Sequence, residues 1–406
     1  MEWKQRINSK ALRLSAAFFL PVFCMLAVCL ANEVTPFGDN TLLISDCDHQ
    51  YSAYLTYFKT IFTGESDFFY TFSKSLGGDM VSFSGYYLLS PLNLLLFLFP
   101  NAQMPLAITV LILTKIGLCG LTMQLFAEGE FDLGAGGLPL STAYALCGYV
   151  TLFFWNVMWM DALILLPLIL WGLHRLERGR PLLYVLSLAS AVVICYYTGY
   201  MLCLFSALYA GYRLIARRPA CGYGRFVLRY VGGSAGAVGL SAFALIPIAL
   251  SMRDGKAVFS LSILTADKKF PLEQLPMGLF DGTIEWQQAW NAAHPPVVFS
   301  GALVLLLAVL FFTQKAIPWR EKLAAGGVLG VLTLSFWING LDLIWHGFNY
   351  PTAFPYRYFF LFCGFLVVLA CRSFGMLREQ TPSLSLPITG GVLVLISTVC
   401  FMKGMN

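Results

Sequence analysis

Asp46 and Asp48 bracket Cys47 in the stretch "TLLISDCDHQYSAYLTYFKTIFTG" (residues 41–64), just past the first apolar run. Carboxylates at a membrane surface can deprotonate a hydroxyl or hold a divalent cation. Both are therefore candidate catalytic bases and candidate ligands for Mg or Mn. The plainer alternative is a helix N-cap at either position. Lys115 lies mid-way along the apolar run "AITVLILTKIGLCGL". An ammonium there needs a partner, either a substrate phosphate or a carboxylate inside the bundle. Arg357, in "LIWHGFNYPTAFPYRYFF", could grip a phosphate bidentately or snorkel to headgroups. His346 and Asn349 in the same stretch offer hydrogen bonds. Asp161 follows "WNVMWM", where it could cap a helix or orient a sugar. Trp155, Trp159, Tyr196, Tyr197 and Tyr200 suit an interfacial belt or a sugar-stacking surface.

These residues belong to a chain of 406 that is 58% hydrophobic and 12% charged, with a mean hydropathy of +0.72. Soluble domains carry roughly 25% charged residues. The composition excludes a soluble enzyme and predicts an all-α polytopic membrane protein. The net charge of +5 is spread over separate loops, so no nucleic-acid partner is expected. Eleven cysteines scatter through apolar runs without a CxxC pair, which reads as small apolar filling and not a disulfide framework. Cys47 falls in an expected aqueous loop. No Walker motif, HExxH or strong metal-ligand spacing occurs.

Basic segments orient the chain. "HRLERGR" (174–180), "YRLIARRPACGYGRFVLR" (212–229), "TQKAIPWREK" (313–322) and "CRSFGMLRE" (371–379) are assigned to the cytoplasm together with the N-terminus. A single transmembrane domain over 1–406 then has about 11 transmembrane helices: 11–31, 104–126, 138–158, 161–175, 182–196, 199–216, 228–251, 297–312, 324–339, 357–371 and 387–402. The first is read as an uncleaved helix and not a signal peptide. This path puts 17 of the 26 Lys and Arg inside. "YYLLSPLNLLLFLFP" (86–100) is short for a span and holds Pro91 and Asn93, so it reads as re-entrant or interfacial. Residues 32–103 form a first exterior loop and 252–296 a second, with no soluble domain. In the first loop, Tyr51, Tyr54, Leu55 and Phe58 fall on one face of an amphipathic helix that can lie on the membrane. Gly77 and Gly78 before Asp79 predict a turn. "GGSAGAVG" (232–239) has the spacing of a helix-packing face.

"SDCDHQY", "FSKSLGGDM" running into "YYLLSPLNLLLFLFP", Lys115, "WNVMWMDALILLPLIL" and "WHGFNYPTAFPYRYFF" occur in this order over residues 46–360. Together they resemble the bacterial YfhO family of membrane proteins, whose members resemble glycosyltransferases of the C-type (GT-C) fold. The resemblance implies a GT-C-like fold in a multi-pass protein of the bacterial cell membrane. It implies inverting transfer of a sugar from a polyprenyl-phosphate-linked donor to lipoteichoic acid, or a related envelope polymer or glycolipid acceptor, on the outer face. Family members carry an Asp four residues before the Gln of a Gln-Tyr pair, which here selects Asp46 ahead of Gln50 and Tyr51, with Asp48 next in line. This reading puts Lys115 and Arg357 on the donor phosphate. It implies Gln50, Tyr51, Tyr87, Asp161, Tyr197, His346 and Asn349 on sugar or acceptor. Most members are about twice this length with an exterior C-terminal domain, so a natural short form or a truncated frame is expected. A transporter or flippase of a lipid-linked sugar, and a non-catalytic envelope-assembly protein, remain the alternatives.

Overall fold

Within a bilayer every backbone N–H and C=O must find a partner in the protein, so apolar runs become helices. A computed structural model describes residues 2–74, 76–217, 219–253, 264–280, 282–377 and 390. In chain order the elements are α1 (Glu2–Ala31), α2 (Ser52–Phe62), β1 (Tyr70–Thr71), β2 (Gly78–Asp79), α3 (Val81–Tyr87), α4 (Met104–Phe131), α5 (Leu138–Ala145), α6 (Gly148–Phe153), α7 (Val157–Glu177), α8 (Leu182–Ile194), α9 (Tyr196–Ala216), α10 (Tyr223–Arg253), α11 (Trp286–Ala289), α12 (Ala302–Thr313), α13 (Trp319–Trp337), α14 (Asn339–Trp345) and α15 (Phe360–Leu377). The two short strands pair antiparallel, Tyr70 with Asp79 and Thr71 with Gly78, around the expected glycine turn. Gly77 takes φ +108°, a conformation that side chains rarely adopt.

Among the described residues, α1, α4, α7, α9, α10 and α15 are long and apolar enough to cross a membrane. The 86–100 segment is a bent piece: α3 and the 3₁₀ turn Pro91–Leu98 meet at 85°, as a broken span or re-entrant loop. Several expected spans take another form. Residues 138–158 are not one helix but α5, α6 and the first turn of α7. The break at Cys147 is held from a distance, because the Gly148 amide donates to Phe299 O at 2.7 Å. A Cβ at Gly148 would lie 2.1 Å from Val297 O, so only glycine lets these backbones touch. That pairing keeps residues 297–301 outside the helix, and α12 starts only at Ala302. With 13 residues, α8 rises about 20 Å, short of the roughly 30 Å hydrocarbon layer. The expected helix over 387–402 lies outside the described residues except for residue 390.

The most buried long helices are α7, α15 and α4, whereas α1 and α10 keep only 22% of their apolar stretch buried and flank the bundle. α7 packs on α4 and α8, α12 on α15, and α9 on α13. The "GGSAGAVG" segment uses Gly233 and Gly236 against Tyr184 and Val185 of α8. Ten free cysteines are found among the described residues. Cys47, expected in an aqueous loop, is fully buried, and burial pushes its thiol up to about 12.

Candidate functional site

α7 and α9 both run from one end of the bundle, at Val157 and Tyr196, to an arginine-rich end at Arg175 and Arg213. The first end carries a cavity of about 560 Å³, lined by Asp46, Gln50, Tyr51, Lys74, Tyr86, Tyr87, Trp159, Tyr197, His346, Asn349, Phe354 and Arg357, among others. That volume lies within the roughly 300–1,000 Å³ usual for small-molecule sites. Segments separated by some 300 positions in the chain thus meet in one place.

Asp46 enters through a single wide turn. Residues Cys47–Tyr51 are π-helical, and Asp46 occupies its N-cap position without a capping hydrogen bond. The extra residue per turn puts positions i and i+5 on one side. Accordingly the Tyr51 hydroxyl lies 3.3 Å from Asp46 Oδ2, and Gln50 Nε2 donates to Oδ1 at 3.4 Å. The Tyr51 hydroxyl is also 2.9 Å from Asn156 Oδ1. Burial, with Tyr87 and Asp46 nearby, pushes the Tyr51 phenol above its ordinary range, so it keeps its proton. Asp48 is different: its side chain is 57% exposed beside His49 and is absent from the cavity wall. The two acids therefore do not share the cavity wall. Among the described residues no cluster of three His, Cys, Asp or Glu could hold a metal ion.

Arg357 reaches the cavity from the segment between α14 and α15. Phe348, Ala353, Phe354 and Tyr356 there all have φ between +46° and +62°, a region that costs a non-glycine residue about 1–2 kcal/mol. The guanidinium ties this strained loop by donating to Thr352 O (2.8 Å), Ala353 O (3.2 Å) and Phe354 O (3.2 Å). Its faces sit over Trp159 at 5.2 Å and Tyr197 at 5.4 Å, an arrangement that suits the flat guanidinium. Among the described residues it has no carboxylate within ion-pair distance, and neither does Asp46 have a cation. His346 Nδ1 is 2.6 Å from the Tyr197 hydroxyl, and its Nε2 is 3.5 Å from Asp342 Oδ1. Desolvation holds the imidazole below its ordinary 6.5. Asn349 lines the wall, its amide donating to Gly347 O.

Two expected site residues lie elsewhere. Lys115 is fully buried and donates to Asp161 Oδ2 (2.5 Å), Val157 O (2.8 Å) and Ser90 Oγ (3.4 Å). Ser90 in turn donates to Asp161 Oδ1 at 2.8 Å. The ammonium is used up by these partners and does not face the cavity, so the phosphate-gripping role expected for Lys115 gives way to an ion pair inside the bundle. Asp161 belongs to that pair; Asn156, not Asp161, stands at the N-cap position of α7. Trp155 is fully buried instead of belting an interface. Conversely, Lys74 and Tyr86 line the cavity without having been singled out. Lys74 sits inside "FSKSLGGDM", three residues before the glycine turn, and that proximity was the available signal.

At the arginine-rich end, Glu130 pairs with His174, Arg213 with Glu177, and Arg372 Nε with Glu321 Oε1 at 2.9 Å. These bonds tie α4, α7, α9, α13 and α15 around a space of about 90 Å³.

A polytopic helical bundle with an open, aromatic-walled polar cavity at one end and a buried ionic lock at the other is the class this geometry defines. The family model described as bacterial membrane protein YfhO matches residues 16–406, and the chain belongs to that family. No curated protein and no solved structure matches it.

Proposed function

We propose that this protein is a GT-C-type glycosyltransferase. It moves a sugar from a polyprenyl-phosphate carrier to a hydroxyl of an envelope acceptor, lipoteichoic acid or a related polymer or glycolipid. One observation carries the reading: Asp46 and Arg357, opposite in charge and without ionic partners among the described residues, line the same cavity. The arginine-rich end of the bundle is cytoplasmic by the positive-inside rule, which turns the cavity to the outer face of the cell membrane.

In this reaction Asp46 takes the proton of the acceptor hydroxyl. The hydroxyl oxygen attacks the anomeric carbon while the bond from that carbon to the phosphate oxygen breaks. Arg357 holds the charge that develops on the departing phosphate, the electrostatic contribution that matters most in such transfers. Tyr51 keeps its proton and steadies Asp46, and neutral His346 and the rings of Tyr87, Trp159 and Tyr197 suit sugar hydroxyls and faces.

The test is transfer of a radiolabelled sugar from a polyprenyl-phosphate donor by purified protein in proteoliposomes. A positioned base is worth about 10²–10⁴-fold, so Asp46→Asn is expected to lose at least about a hundredfold while Asp48→Asn stays within about twofold. Undiminished transfer by Asp46→Asn sinks the assignment. Donor crossing the bilayer with no sugar transferred points to a transporter instead.

A further inference from the structure

Beside the main cavity lies a second one of about 280 Å³, with Ala53, Tyr54 and Tyr57 of α2 on one wall and Lys74, Met80 and Phe83 on the other. The two cavities share Lys74 and Phe83. The β1–β2 hairpin, whose Thr71, Ser73 and Lys74 line this groove, exposes large apolar side chains: Phe69 is 70%, Phe72 80% and Leu76 94% exposed. Water is a poor environment for such a patch. The hairpin is fixed at a definite height, because the Ser251 hydroxyl at the end of α10 donates to Asp79 Oδ2 at 3.0 Å. α10 is one of the peripheral helices long and apolar enough to span, and its exposed Phe243, Ile246 and Leu250 form an apolar stripe that leads up to this junction. Through this Ser251–Asp79 contact the exposed apolar side chains of the hairpin adjoin the end of α10. Lys74, its ammonium 5.1 Å from the Phe83 ring centroid, stands where the groove opens into the main cavity.

We infer that the hairpin dips into the outer acyl layer and that the groove between it and α2 is the lateral doorway by which a lipid-borne phosphate reaches the site. The hydrocarbon chain passes between Tyr54, Tyr57 and Met80, and Lys74 meets the phosphate before Arg357 does. The transmembrane stripe supplies the continuity with lipid, and Lys74, the cation at the inner mouth among the described residues, supplies the selectivity for an anionic headgroup. The phosphate part rests on the reading proposed above; the contact with the bilayer does not.

The experiment places a photoreactive p-benzoylphenylalanine at Phe72 or, for comparison, at Phe243 on α10, in full-length protein in phosphatidylglycerol nanodiscs containing a trace of radiolabelled undecaprenyl phosphate. Both positions are exposed, so neither substitution disturbs packing. At position 72 the ratio of captured undecaprenyl phosphate to captured phosphatidylglycerol is expected to exceed that at 243 by about tenfold, and Lys74→Gln is expected to bring it down to the level at 243. Equal ratios at the two positions, or no lipid captured at 72, overturn the doorway. Asp46→Asn is expected to keep the enrichment while losing transfer. Sugar transfer without enrichment removes the doorway and leaves the transferase reading standing; enrichment without transfer in the wild-type chain does the reverse.

Discussion

Lys115→Met separates a structural lysine from one that binds substrate. The ammonium has three N–H donors and three acceptors, Asp161 Oδ2 at 2.5 Å, Val157 O at 2.8 Å and Ser90 Oγ at 3.4 Å. Methionine fills the volume of the stem but leaves the Asp161 carboxylate, 6% exposed, without a cation. Removing one partner of a buried pair costs about 3–5 kcal/mol, which is two to three and a half decades in the folding equilibrium at about 1.4 kcal/mol per decade. The double variant Lys115→Met/Asp161→Leu removes both charges. It is expected to recover to within about 1 kcal/mol of wild type, because the charges were costly to bury in the first place. The assay is denaturant unfolding of the purified protein in detergent, read by tryptophan fluorescence, alongside sugar transfer by the double variant. A Lys115→Met protein as stable as wild type, or a stable double variant with no transfer, refutes the assignment and returns Lys115 to the substrate.

Three further outcomes follow from the same geometry. Arg357→Lys keeps the charge but loses the planar fork between Trp159 and Tyr197, and the KM for the lipid-phosphate donor is expected to rise on the order of tenfold. His346 is held neutral below its ordinary 6.5 by burial, so the unfolded chain takes up a proton that the folded chain does not. Stability is then full above that value and falls as pH drops through it toward the lower folded value. His346→Gln should flatten the decline in melting temperature between about pH 7 and about pH 5. Gly148→Ala forces a methyl against Val297 O and is expected to cost on the order of 1–3 kcal/mol, seen as a lower unfolding midpoint.

Much of this site is legible in the chain because its signals are local. The i, i+3, i+4, i+7 face of Tyr51, Tyr54, Leu55 and Phe58 is a helical period, and the structure packs that face inward with Tyr54 half-buried. Pro91 and Asn93 in a short apolar run mark the bent segment, and Arg357, His346, Asn349, Tyr197 and Asp46 all line one cavity. What is hidden depends on distant partners. Nothing near Lys115 announces Asp161, which lies 46 residues away. Two acids at i and i+2 look equivalent until a π turn puts Asp46 beside Tyr51 and leaves Asp48 in the open. An apolar run at 138–158 carries no mark of the backbone that interrupts it.

That interruption has a consequence for how the chain comes together. The Gly148 amide is satisfied by a carbonyl synthesised 151 residues later, at Phe299. A buried amide left unpaired is costly, so the segment around α5 and α6 cannot reach its final setting when it first leaves the ribosome. It must wait in a provisional arrangement until residues 297–301 arrive with α12. A nascent chain stopped before Phe299 thus lacks the carbonyl to which the Gly148 amide is bonded in the folded protein.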